Sequence, residues 1–250
     1  MTSEPTPTRR PITTVRISTV ALLGIVAAIA VPAGAAALVV SGSVSEKTEQ
    51  VDIDQAGPVQ KIVVSDTDSS VHITGNATVP GVSGHATLQW GDLGGDGHPV
   101  ALDQSLANGV LTLSKSCDGG QCGSADIDIQ VAPSVSVQVV TTNGGVQVSN
   151  VSGSVNLKTT NGGITTDQLG GGDAYMKTTN APIQAAFAGG PKNITALSTN
   201  APVDITTDGR TSYFDDAHAT NGDTNLENGS NRHSENLITV RTTNSPVTVK

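Results

Sequence analysis

The chain has 250 residues, 28 of them glycine and 12 proline, with 2% aromatic and 14% charged side chains. So few aromatics cannot fill a wide core, and so few charges do not suit a helical globular domain, so a thin core of Val, Ile, Leu and Ala is expected. The net charge of −9 is unevenly placed: residues 1–16 hold Arg9, Arg10 and Arg16 against Glu4 (+2), leaving −11 on the remainder. That acidic remainder argues against a nucleic-acid partner and against adhesion to anionic lipid by simple charge; it is compatible with a cation or a basic partner.

Residues 17–40, ISTVALLGIVAAIAVPAGAAALVV, form an uncharged apolar run of 24 residues. About 20 apolar residues cross a bilayer core, so one transmembrane helix is expected here. The arginines before it place residues 1–16 in the cytoplasm as a short tail, and everything after it outside the cell. A cleaved signal peptide ending near Ala33–Ala37 is the competing reading, and it exports the same domain. Residues 41–50 read as a linker and 51–250 as one domain.

Residues 45–135 are less regular but alternate apolar and polar in short runs such as Lys61-Ile62-Val63-Val64, Val71-His72-Ile73 and Ile127-Asp128-Ile129. This period of two predicts strands. Residues 91–98 are expected to form a loop. Cys117 and Cys122 are the only cysteines, in SKSCDGGQCGS. In an exported chain, two thiols across a Gly-Gly turn predict a disulfide. A zinc site needs about four ligands, and no second pair is present to supply them.

From residue 141 the chain repeats. Aligned on asparagine it reads TTNGGVQV at Asn143, TTNGGITT at Asn161, TTNAPIQA at Asn180, STNAPVDI at Asn200, ATNGDTNL at Asn221 and TTNSPVTV at Asn244. The spacings are 18, 19, 20, 21 and 23 residues. In most copies apolar residues recur six and four positions before the Asn and three and five after it, as in Val137, Val139, Val146 and Val148; Asp215, Thr224 and Thr166 depart from the pattern. Strand, Asn-centred corner, strand and variable loop therefore make one coil. Stacked coils form an all-β, parallel β-solenoid with coils of about 18–23 residues. The Asn tolerates left-handed backbone geometry, and its amide can bond its equivalents above and below, so this column is read as a structural ladder. Ser65-Asp66-Thr67-Asp68-Ser69-Ser70-Val71 resembles a degenerate corner, so residues 45–135 are read as atypical first coils of the same domain. A sandwich of hairpins is the second choice, because Asn-Gly is also a hairpin signal, but Pro in half the copies cannot serve that turn.

The T-N-G-G-[VI]-x-[VI] coils and the single N-terminal apolar segment resemble the bacterial "putative adhesin" β-strand repeat proteins, a family of unknown function common in Gram-positive bacteria, actinobacteria included. The resemblance covers about residues 50–250 and implies a stacked β-solenoid on the cell surface. It supplies no catalytic residue.

Chemistry has few candidates. Charged residues cluster late, at Asp204, Asp208, Arg210, Asp215, Asp216, His218, Asp223, Glu227, Arg232, His233 and Glu235, chiefly in the variable loops, where solvated charge is the ordinary case. Asp66 with Asp68, or Asp92, Asp96 and Asp103, are possible calcium ligands. The calcium-binding G-G-x-G-x-D nonapeptide does not repeat, so no cofactor is assigned. His72, His85, His98, His218 and His233 show no metal-ligand spacing, and Trp90 reads as a packing residue. No Gly-Gly opens a helix, so a phosphate loop is not supported. The expected function is a non-catalytic, membrane-anchored surface module that binds wall polymer or a surface protein. A carbohydrate-active β-helix enzyme and an envelope sensor are the alternatives.

Overall fold

The computed structural model describes residues 16–17, 44–93, 100–117 and 122–250. Among them there is no helix, and twenty strands form two sheets whose inner faces enclose one apolar core. The first half contains β1 (Arg16–Ile17), β2 (Val44–Gln55), β3 (Lys61–Ser65), β4 (Ser69–Gly75), β5 (Val82–Leu93), β6 (Val100–Ala107), β7 (Val110–Cys117) and β8 (Ser124–Val131). The second half holds β9 (Ser136–Val140), β10 (Val146–Ser149), β11 (Val155–Lys158), β12 (Ile164–Leu169), β13 (Ala174–Lys177) and β14 (Ile183–Phe187). It continues with β15 (Asn193–Leu197), β16 (Val203–Thr206), β17 (Phe214–Ala219), β18 (Thr224–Leu226), β19 (Leu237–Thr242) and β20 (Val247–Val249). The period-two pattern explains these strands. Val137, Val139, Val146 and Val148 point inward and are buried, while Gln138 and Gln147 between them point outward.

The expectation of a uniformly parallel stack is corrected: both sheets are mixed. The nine-stranded sheet runs β17-β19-β15-β13-β11-β9-β3-β7-β6, and the eleven-stranded sheet runs β1-β2-β5-β8-β4-β10-β12-β14-β16-β20-β18. From β7 to β17 in one and from β8 to β18 in the other, every pairing is parallel. The antiparallel pairs gather at one end, where β6 closes the edge at β7 while β5 and then β2 close the edge at β8. The β6–β7 connection is Asn108-Gly109, with φ of 51° and 75°. Two successive positive φ values define the tight hairpin turn that Asn-Gly favours. Gly91, expected in a loop, belongs to β5.

Each coil places one strand in the nine-stranded sheet and the next in the eleven-stranded sheet, but the coils do not stack in chain order. The coil β19/β20, last in sequence, lies between β15/β16 and β17/β18. At the other end the first coil, β3/β4, lies between β7/β8 and β9/β10. The side chains explain the C-terminal inversion. The coil β17/β18 carries Asp215 and Thr224 where its neighbours have Ile or Val, and Leu226 there is 38% exposed. The coil β19/β20 keeps Ile238, Val240, Val247 and Val249, all at most 1% exposed. An interior coil needs apolar side chains that meet layers on both sides, so the degenerate coil takes the end.

The predicted transmembrane segment lies outside the described residues from residue 18 onward. Its first residue, Ile17, pairs as extended strand with Glu49. Among the described residues no helix is long and apolar enough to cross a membrane.

Candidate functional site

Two polar columns run along the corner of the stack. The outer one is made of amides. Asn161 Nδ2 donates to Asn143 Oδ1 at 2.7 Å, Asn180 to Asn161 at 2.8 Å and Asn200 to Asn180 at 2.8 Å. It then skips in sequence: Asn244 donates to Asn200 at 2.7 Å, and Asn221 to Asn244 at 2.9 Å. At the opposite end Asn143 Nδ2 donates to Asp68 Oδ1 at 2.5 Å, so Asp68 occupies the asparagine position of the degenerate corner. That donation holds the Asp68 carboxyl below its ordinary pKa, against a smaller opposing effect of burial. None of the six repeat asparagines has a positive φ; among the described non-glycine residues only Asn108, Asn150 and Gln168 do. The corner therefore selects Asn for its amide, which is both donor and acceptor, and not for left-handed backbone geometry.

The inner column is buried. Thr141 Oγ1 donates to Ser69 O, Thr159 to Gly144 O and Thr178 to Gly162 O, each at 3.2 Å. These bonds satisfy carbonyls that the tight corner turns away from the strand ladders. A Cβ on Gly162 would lie 1.9 Å from Gly144 O, so close stacking requires glycine there. Proline is tolerated two residues after the Asn because only its carbonyl is used: Pro182 O accepts from Ile164 N and Pro202 O from Ile183 N.

At the first-coil end the hydroxyl column ends in an ion pair. Register places Asp66 and Lys115 just beyond the aligned pair Ser65 and Ser114, where later coils have threonine. Lys115 Nζ lies 3.3 Å from Asp66 Oδ1, with side chains only 1% and 4% exposed. The ammonium also donates to Gly123 O, and Ser69 Oγ donates to Asp66 Oδ2. Cys117 and Cys122 form a disulfide beside it, with Cα atoms 5.6 Å apart. Lys115 and Gly123 flank the loop that this disulfide closes, so the bridge helps hold the cation over Asp66.

The late charged residues do not converge. On β17, Asp215 points inward and Asp216 outward, where it pairs with Arg241. Asp208 caps its own loop by accepting from Arg210 N, Thr211 N and Thr211 Oγ1. Burial opposes its ionisation, but these bonds and the Arg210 charge together hold its pKa below the ordinary value. Glu227 accepts from Asn225 at the other sheet. Arg232, His233 and Glu235 lie in the segment 227–236, which folds over the outer edge of β17. There Asn231 N donates to Tyr213 O, and Ser230 Oγ accepts from Asp215 N. This return connection is the reason for the 23-residue spacing between Asn221 and Asn244. Of the calcium candidates, Asp66 and Asp68 are taken by the contacts above, Asp103 sits on the β6 hairpin and Asp96 lies outside the described residues. His98 likewise lies outside them. Trp90 packs against the core. Among the described residues no three His, Cys, Asp or Glu side chains are grouped to hold a metal ion.

Asp215 is 8% exposed, and burial pushes its pKa up against hydrogen bonds from Asn228 and Ser230. Native Asp215 thus keeps its proton to higher pH than the unfolded chain does. Its contribution to stability is complete below about pH 4 and is lost as pH rises through the native pKa. We expect Asp215→Asn to raise the melting temperature at pH 7 and to leave it nearly unchanged at pH 4. A scan of melting temperature against pH checks this, and an equal change at both values would contradict it.

The outer faces of the sheets differ in charge. Outward positions of the eleven-stranded sheet include Asp52, Asp54, Asp126, Asp128, Asp167 and Asp204, and the two histidines His72 and His85 flank Asp128 in register. His72 Nδ1 lies 3.8 Å from Asp128 Oδ2. The outer face of the nine-stranded sheet carries Lys61, Lys158, Lys177 and Arg241 beside Asp103 and Asp216, the last paired with Arg241. Across it lies a shallow groove of about 410 Å³, lined by Gln138, Asn156, Tyr175 and Thr195 in the middle and by Lys61 and Asp173 at its sides. Sequence reading missed this face, because the net charge conceals a gathering of lysines that only the pairing of distant strands produces.

No protein-family model and no curated protein matches the chain. Solved structures share similarity at low identity. A "putative cell adhesion protein" from Clostridium sporogenes is 12% identical with a TM-score of 0.46, the match covering 82% of this chain and 99% of that one. A "putative adhesin" from Bacteroides fragilis is 12% identical with a TM-score of 0.39, covering 84% and 99%. A "putative lipid binding protein" from Parabacteroides distasonis is 8% identical with a TM-score of 0.34, covering 82% and 97%.

Proposed function

We propose that this chain is a non-catalytic surface-binding module. In this reading the parallel part of the stack is a short β-solenoid, and residues 17–40 anchor it to the cell membrane, with residues 1–16 inside and 51–250 outside. One observation carries the binding role: in-register pairing repeats each outward side-chain position from coil to coil, as in the row Gln138, Asn156, Tyr175 and Thr195 on β9, β11, β13 and β15. Such a row presents polar groups about every 4.8 Å along a rigid surface, which suits an extended or repetitive partner. The full chain in detergent, immobilised and challenged with wall-polymer and surface-protein fractions, is expected to enrich a component of one of them. Release of new reducing ends from a glycan fraction would replace this reading with an enzymatic one, and enrichment of nothing would remove it. Labelling of the chain on intact cells by a membrane-impermeant amine reagent is expected for the proposed orientation; labelling only after lysis would overturn that orientation.

A further inference from the structure

We infer that the outer face of the nine-stranded sheet is a docking face for a linear, hydroxylated polyanion lying along the stack axis. The inference rests on the surface-binding reading and names the chemistry of the partner. Lys158 and Lys177 are register partners on adjacent strands β11 and β13, and both are exposed. Like charges directly across a strand pair are destabilising. Among the described residues neither has a carboxylate partner; Lys158 lies over the Tyr175 ring, 5.3 Å from its centroid. Arg241 continues the same row two strands on, beyond Leu197, but it is paired with Asp216, so the two lysines are the uncompensated cations of the row. A chain with a surplus of acidic residues thus concentrates cations on one sheet face and leaves two of them paired with each other. An anionic partner would relieve that repulsion and release the counterions it attracts.

The groove supplies the second requirement. Asn156 Oδ1 is buried there with no hydrogen-bond partner. An unmet buried acceptor costs about 1–3 kcal/mol, and a turn of the half-buried Asn156 side chain toward the groove would let a ligand hydroxyl satisfy it. A ligand bearing both anions and hydroxyl donors meets both needs, as in phosphodiester-linked polyols or uronate-type glycans. A flat anionic bilayer would meet the lysines but would not lay a row of hydroxyls along the groove.

The test measures binding of the full chain in detergent to poly(glycerol phosphate), polygalacturonate, neutral dextran and phosphatidylglycerol vesicles. Binding to one or both polyanions is expected, at least tenfold weaker in Lys158→Glu/Lys177→Glu and intermediate in Lys158→Gln/Lys177→Gln. It should be unchanged in Asp126→Asn/Asp128→Asn on the opposite sheet, and should weaken as salt rises. Preference for the phosphate or the carboxylate polymer identifies the anion. The inference is overturned if neither polyanion binds, if dextran binds equally well, if the lysine variants bind like the parent with unchanged circular dichroism, or if the vesicles outcompete both polymers. Enrichment of a wall or surface component that survives Lys158→Glu/Lys177→Glu would remove this docking face and leave the surface-binding reading standing.

Discussion

Ile238→Ala is expected to destabilise the protein by about 2–5 kcal/mol, the usual cost of truncating a fully buried Ile, whereas Leu226→Ala should cost about 0.5 kcal/mol or less. Ile238 lies on the coil that is last in the chain, and it is wholly buried because β19 pairs with β15 on one side and β17 on the other. Leu226 lies on the preceding coil, but β18 forms the edge of its sheet and leaves that side chain 38% exposed. A stack that followed chain order would reverse the two results, making Leu226 interior and Ile238 terminal. Urea unfolding of both variants checks the order. Hydrogen exchange offers a second measurement: amides of residues 237–249 should exchange more slowly than those of 214–226, although they lie at the chain terminus. The inversion also ties the last repeat into the interior, so the C-terminal residues cannot detach without opening the layer above them.

Lys115→Met should cost about 3–5 kcal/mol, because it leaves Asp66 charged, buried and without its cation. The double variant Lys115→Met/Asp66→Thr should recover most of that loss. It restores at position 66 the threonine that Thr141, Thr159 and Thr178 occupy in later coils, and it replaces a buried ion pair by apolar and hydroxyl groups. The coupling energy from a double-mutant cycle is the decisive number: a value near zero would mean that Asp66 and Lys115 act independently. The pair is a mismatch with the repeat that is confined to the end of the stack, where the column passes from coil stacking to the antiparallel cap.

The repeat unit was readable from residues alone because its causes are local. Period-two alternation marks strands, Gly and Pro mark the corner, and six recurrences of Asn fix the phase. The degenerate corner at Asp66-Thr67-Asp68 was also legible, since Asp68 can still accept an amide hydrogen and so fits the column. The Asn108-Gly109 hairpin is written in the same local terms, as a tight-turn dipeptide between alternating strands.

Sequence by itself therefore determined the all-β class, the unit of the repeat, the disulfide partners and the column of asparagines. Tertiary structure alone decided the order of the coils, the antiparallel cap, the Asp66–Lys115 pair and the gathering of Lys61, Lys158 and Lys177 on the outer face of one sheet. The reason is the range of the forces. Alternation and turn chemistry act within a few residues, so they are written in the local string. Which coil lies beside which depends on matching apolar columns across tens of residues, as Ile238 against Ile194 and Asp215 demonstrates, and any charge pattern on the surface follows from that match.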